Sequence, residues 1–258
     1  MRWLFCVLAM VLFTGACSGM DLYDVRLDTI TEGISKHVNR GVAENDEAMV
    51  RNGLELEWEQ FSLSFSGRTA LTDEYDERFK ADLVELRFGV GDFLLDRNVG
   101  ILRQSYIYAA VEYEDYLATD REGTTELVAG NTLTFLHEVK FNAELRFDVA
   151  KNWGFYLDCD VSRDFDVGKM NWWNRTFKAS LRPEIGIAAG SPHNNDSYYG
   201  VEEYAFTDWH AGLELMLKDA RFEFGPTLTY TSLVDRKIRD AFDDDEHLVV
   251  GLRLRIRF

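Results

Sequence analysis

Four groups of residues could carry chemistry. The first is His210 with Glu214 in "DWHAGLEL". Their even spacing puts both on one face of a strand, where a His–Glu pair can pass a proton. Ser180 would add a nucleophile only if the fold happened to bring it near. The simpler reading is a hydrogen bond on a polar face, so no catalytic residue is assigned. The second is the acid run Asp240, Asp243, Asp244, Asp245 and Glu246. Its oxygens suit a hard cation such as Ca²⁺, but the glycine-punctuated spacing of a calcium loop is missing. It reads as a solvated loop, with a divalent bridge to anionic lipopolysaccharide as the alternative, and no metal site is assigned. The third is His193, His210 and His247, too scattered for a zinc site. The fourth ends the chain: Arg253, Arg255 and Arg257 alternate with Leu252, Leu254, Ile256 and Phe258. That spacing is a strand with a charged face and an apolar face.

The same alternation recurs along the sequence. "NGLELEW" aligns Leu54, Leu56 and Trp58, and "FSLSFSG" aligns Phe61, Leu63 and Phe65. The change of register across Glu59-Gln60 favours a tight hairpin there over a bulge within one strand. Later segments align Val84 to Val90, Ile107 to Tyr113, Leu127 to Phe135, Phe141 to Val149, Phe155 to Val161, Phe177 to Ile187, Trp209 to Leu217, and Phe222 to Tyr230. Residues 27–41 give the weakest pattern, with Ile30, Ile34 and Val38 in register. Counted together these are about twelve strands. The opposite face carries charge almost throughout: Glu144, Arg146, Asp158, Asp160, Arg182, His210, Glu214, Arg221, Glu223, and the three terminal arginines. In a barrel these residues line the lumen, and acids outnumber bases among them and their neighbours Glu55, Glu57, Glu85, Glu112, Glu114 and Glu126.

Length and composition narrow the class. "MRWLFCVLAMVLFTGACSG" is a signal peptide, residues 1–19, too short to span a bilayer. Two processing routes fit it: ordinary cleavage near Ala16 or Gly19, or lipoprotein cleavage before Cys17, which would then be acylated. Residues 20–258 form one domain. Of three cysteines only Cys159 lies in the body of the chain, which leaves no disulfide framework. A net charge of −17 argues against nucleic acid. Nor does any stretch suffice for a transmembrane helix.

Apolar-out, polar-in alternation over so many strands, behind a secretion signal, predicts an all-β fold: an antiparallel up-and-down transmembrane β-barrel. The connections agree. "TDEYDER", "ATDREG", "SPHNNDSYYGVEEYAF" and "LVDRKIRDAFDDDE" would be outer loops, while "EQ", "DRNV", "HEV" and "KD" would be periplasmic turns. "AKN" is short for the outside and "DVGKMNWWN" long for the periplasm.

The order of motifs resembles the TorF-type porin family of small Gram-negative outer-membrane barrels. "HVNRGV" resembles its early Arg-Gly segment, "GLELEWEQFSLSFSG" its first hairpin, "FNAELRFDVAKNWGFYLDCDVSRDF" a central strand pair, and "RFEFGPTLTYTSLVDRKIRDAFDDDEHLVVGLRLRIRF" its C-terminal hairpin. A terminal phenylalanine also resembles the signal read by the barrel-assembly machinery. The expected function is a narrow passive channel for small polar or charged solutes in the outer membrane, with no cofactor and no enzymatic activity. The alternative is a non-conducting structural or adhesion barrel. Expected partners are outer-membrane lipid and lipopolysaccharide, the assembly machinery and small solutes.

Overall fold

The computed structural model describes residues 25–71, 81–96, 99–116 and 123–258. The signal peptide, Cys17, the "TDEYDER" loop and most of "ATDREG" lie outside them. Fifteen strands are described: β1 (Val25–Ile34), β2 (His37–Asn39), β3 (Val42–Asn45), β4 (Met49–Trp58), β5 (Phe61–Ala70), β6 (Ala81–Leu95), β7 (Leu102–Tyr116), β8 (Thr124–Phe135), β9 (Val139–Asp148), β10 (Phe155–Arg163), β11 (Phe165–Trp172), β12 (Arg175–Gly190), β13 (Ala205–Lys218), β14 (Phe222–Leu233) and β15 (Glu246–Arg257). Two short helices, α1 (Pro192–Tyr199) and α2 (Arg236–Arg239), interrupt the connections after β12 and β14.

Twelve strands form a closed antiparallel wall, in the order β1-β4-β5-β6-β7-β8-β9-β10-β12-β13-β14-β15. β15 returns to β1, pairing Asp28 with Arg257 and Ile34 with Gly251. Closure leaves no unpaired edge in the wall, which is what a bilayer demands of a sheet. On the outer surface Leu54, Leu127, Ile185, Leu213, Leu215 and Leu252 are 41–63% exposed. Their neighbours in sequence turn inward, so the barrel is apolar outside and charged inside, as a membrane-spanning barrel requires.

The Glu59-Gln60 hairpin is present, with Trp58 opposite Phe61 and their rings 5.4 Å apart. "DVGKMNWWN" is no loop. β11 continues β10 beyond Asp164 and pairs with the first half of β12, so this hairpin projects past the end of β9. Trp173 and Asn174, both in the left-handed region (φ 46° and 58°), make its turn.

Residues 27–41 are not one strand. β1 stops at Ile34, and residues 37–45 fold into the β2–β3 hairpin. Arg40 and Gly41 both take positive φ (49° and 78°) between the paired Asn39 and Val42. That is the backbone of a two-residue hairpin turn, and it reverses the chain.

Short turns, Val25 and Phe258 occupy one end of the barrel, here the turn end. The β2–β3 hairpin, α1 and α2 occupy the other, the loop end. There Tyr199, Leu233 and Ile238 form a buried apolar cluster, packed by Val42, Tyr198, Val201, Ala205 and Phe242. Three separate connections therefore share one small core. Burying Ile238 completely stabilises this packing by about 1.5–3 kcal/mol.

Candidate functional site

The barrel encloses a chamber of about 800 Å³, bounded at the loop end by His37, Val38, Asn39 and Arg40. Arg40 is the tip of the hairpin that grows from β1. Its guanidinium donates to Glu126 on β8 and to Asn194 in α1, and lies 4.6 Å from the Tyr156 ring on β10 and 4.2 Å from the Tyr198 ring. β8 and β10 each stand five places round the wall from β1, in opposite directions. The hairpin thus crosses the full diameter of the mouth and is held on the far side.

The backbone completes this latch. The Tyr199 hydroxyl donates to the Arg40 carbonyl at 2.7 Å. Asp208 on β13 accepts from the Tyr156 hydroxyl at 2.9 Å and from the Thr207 hydroxyl at 2.8 Å. Gly41 rests against Asp208 and Leu233. A Cβ at Gly41 would stand 2.7 Å from the Asp208 Cβ, so only glycine fits this φ and this contact. Beneath it α1 is capped by Ser191 and pinned by Asn195, whose amide donates to the Gly190 and Glu203 carbonyls at 3.0 and 2.8 Å. Asn195 is wholly buried. The "SPHNNDSYYGVEEYAF" connection, expected as a plain outer loop, therefore folds in over the mouth.

At the hairpin's base His37 contacts Arg68 on β5 and lies 3.3 Å from the Glu44 carboxylate. Burial pushes the His37 pKa below the ordinary histidine value, and Arg68 adds to that; Glu44 and Glu85 oppose it without prevailing.

The chamber walls are laced with arginine–carboxylate pairs. On one side Arg87 donates to Glu112 and Glu144, both at 3.1 Å, and Arg146 donates to Glu112 and Glu144, both at 2.7 Å. Arg51 and Arg68 share Glu85 at 3.0 and 2.6 Å. On the other side Arg253 bridges Glu32 and Glu214 at 3.0 and 2.8 Å, and Arg255 donates to Glu55 at 2.8 Å.

Of the residues singled out from the sequence, Arg253, Arg255, Glu223, Glu214, Arg182, Asp158, Arg146 and Glu144 border the chamber. Glu223 pairs with Lys218 at 3.2 Å, and Arg182 lies 3.1 Å from Glu184. Four do not border it. Arg257 pairs with Asp28 at 3.6 Å toward the turn end, and Arg221 sits in the turn that precedes β14, where its N–H donates to Asp219. Asp160 accepts from Asn142 at 3.1 Å. His210 faces Glu184 at 3.7 Å and lies over Gly186, while Glu214 is taken by Arg253. His210 and Glu214 do not meet, because four residues along one strand hold them about 13 Å apart. In the acid run Asp240 lies 3.7 Å from Arg236 and Asp245 pairs with Arg239, while Asp235, ahead of the run, caps α2.

Sequence reasoning missed Arg40, Asn194, Tyr156 and Tyr198. One signal was available: Asn39-Arg40-Gly41 between Val38 and Val42 is a hairpin-turn sequence.

No family model and no curated protein matches this sequence. Solved structures do. The KdgM porin aligns with TM-score 0.48 at 10% identity, over 90% of this chain and 99% of its own. LpxR from Salmonella typhimurium aligns with TM-score 0.47 at 8% identity, over 90% and 99%. CdiB from Acinetobacter baumannii aligns with TM-score 0.42 at 8% identity, over 91% of this chain and 60% of its own. At identities this low no residue role passes from them to this chain.

Proposed function

We propose that the protein is a narrow outer-membrane channel for small polar solutes, with the loop end outside, the turn end in the periplasm, and the β2–β3 hairpin as its outer gate. The TorF-type resemblance points the same way. One observation carries this reading: an 800 Å³ chamber with charged walls runs beneath the latch. A barrel built only to be filled would close that volume with side chains, as small barrels do. Here the arginines pair with carboxylates one to three strands away round the wall, and the volume between stays open. The second reading, a non-conducting structural or adhesion barrel, is favoured by the cap itself, since three connections pack across the mouth. Planar-bilayer recording of the refolded protein separates the two. The channel reading expects discrete conductance steps from wild-type protein, more frequent when Arg40 is removed. Silence from both proteins, with folding intact, would leave the structural barrel.

A further inference from the structure

The chain carries 28 basic and 45 acidic residues, yet the chamber does not share that imbalance. Among the described residues nine arginine or lysine side chains and ten carboxylates line it. The acidic excess of the protein therefore sits almost entirely elsewhere. The excess of acids over bases that the sequence pattern gives the lumen narrows to one around the chamber, because Arg40, Arg51 and Arg68 join its walls.

The two signs are also mixed at short range. Arg253 lies between Glu32 and Glu214, Arg87 between Glu112 and Glu144, and each contact is 2.8–3.1 Å. Among the described residues no ring of one sign crosses the chamber, and such rings are what give a pore its ion preference. Paired opposite charges act as local dipoles whose fields cancel within a few ångströms. A lone ion therefore meets no net attraction, while a zwitterion can place its cation on a carboxylate and its anion on the neighbouring arginine.

We infer that the chamber serves small polar solutes of zero net charge, zwitterionic or uncharged, and discriminates little between cations and anions. This rests on the channel reading. The test is the reversal potential of the full-length protein, wild type and Arg40→Ala, in a potassium chloride gradient. The permeability ratio of potassium to chloride should lie within about twofold of equal. Arg253→Gln frees two carboxylates and should move the ratio toward potassium; Glu214→Gln should move it toward chloride. Proteoliposomes should swell in both glycine and erythritol, at rates within about threefold of each other. A wild-type ratio beyond about tenfold in either direction would overturn the inference and leave the channel standing. So would swelling in neither solute by a protein that conducts salt. Absence of any current from folded wild type and Arg40→Ala would overturn the channel reading and this inference with it.

Discussion

Arg40 at the loop end and Arg253 in the chamber wall each extend a guanidinium fork to other elements: Arg40 to the Glu126 carboxylate and the Asn194 amide oxygen, Arg253 to the carboxylates of Glu32 and Glu214. Their surroundings differ. The Arg40 side chain is 7% exposed and its partner Glu126 3%, whereas Arg253 is 32% exposed with partners at 13 and 24%. Breaking a buried pair strands a charge, but breaking a wet one costs little. The buried pair can therefore hold a shape, and the wet pairs can only shape a field. One residue type does both jobs, sorted by access to water.

The largest effect should follow the buried pair. Arg40→Ala leaves the hairpin tip without its far-side partners, a loss of about 3–5 kcal/mol to the packing of the cap. The hairpin should then be cut by protease added to the loop end of proteoliposomes, while the barrel stays resistant. Arg253→Gln should change cap and barrel resistance much less, since its pairs are partly exposed and a pair open to water is worth about 0–1 kcal/mol. Equal effects from the two variants would erase the distinction.

The wall offers a second contrast. Leu215 faces outward from β13 and its neighbour Glu214 faces Arg253. Leu215→Arg should cost about 2–4 kcal/mol near the bilayer midplane, read as a lowered denaturation midpoint in detergent, with Glu214→Arg far better tolerated. Gly41→Val should cost about 1–2 kcal/mol from its left-handed backbone alone, plus the contact with Asp208. It should mimic Arg40→Ala in the protease assay without altering any charge.

The smallest effect is one of pH. Because His37 has a depressed pKa in the folded cap, the unfolded or released hairpin binds the proton more readily. Its contribution is whole above the unfolded value of about 6.5 and is lost as pH falls from there toward the folded value. Cleavage of the hairpin should rise on acidification through that window, and His37→Gln should flatten the rise. The groups facing His37 are Glu44, Arg68 and Glu85, so Glu44→Gln should sharpen it.

The wall of this barrel was legible because a strand's side chains alternate strictly. Leu54, Leu215 and Leu252 declare the outer face, and Glu144, Arg146 and Glu214 the inner one. The short Glu59-Gln60 connection declares a hairpin by its change of register. The cap was not legible. Arg40 meets Glu126 and Asn194 from 86 and 154 residues away, and alternation says which way a side chain points but not what waits across the lumen. Ile30, Ile34 and Val38 also kept their register through the bend at 35–36, hiding the end of β1. His210 takes the inner face that alternation gives it, beside Glu184 of the adjacent strand.

The central claim is that a latched hairpin closes a conducting chamber. Single-channel recording of wild type and Arg40→Ala in one bilayer system, at neutral pH and equal salt, tests it most directly. The account predicts that the variant is open for longer and at higher conductance than wild type, with the same near-equal ion preference. Identical conductance and open time in the two proteins would contradict it.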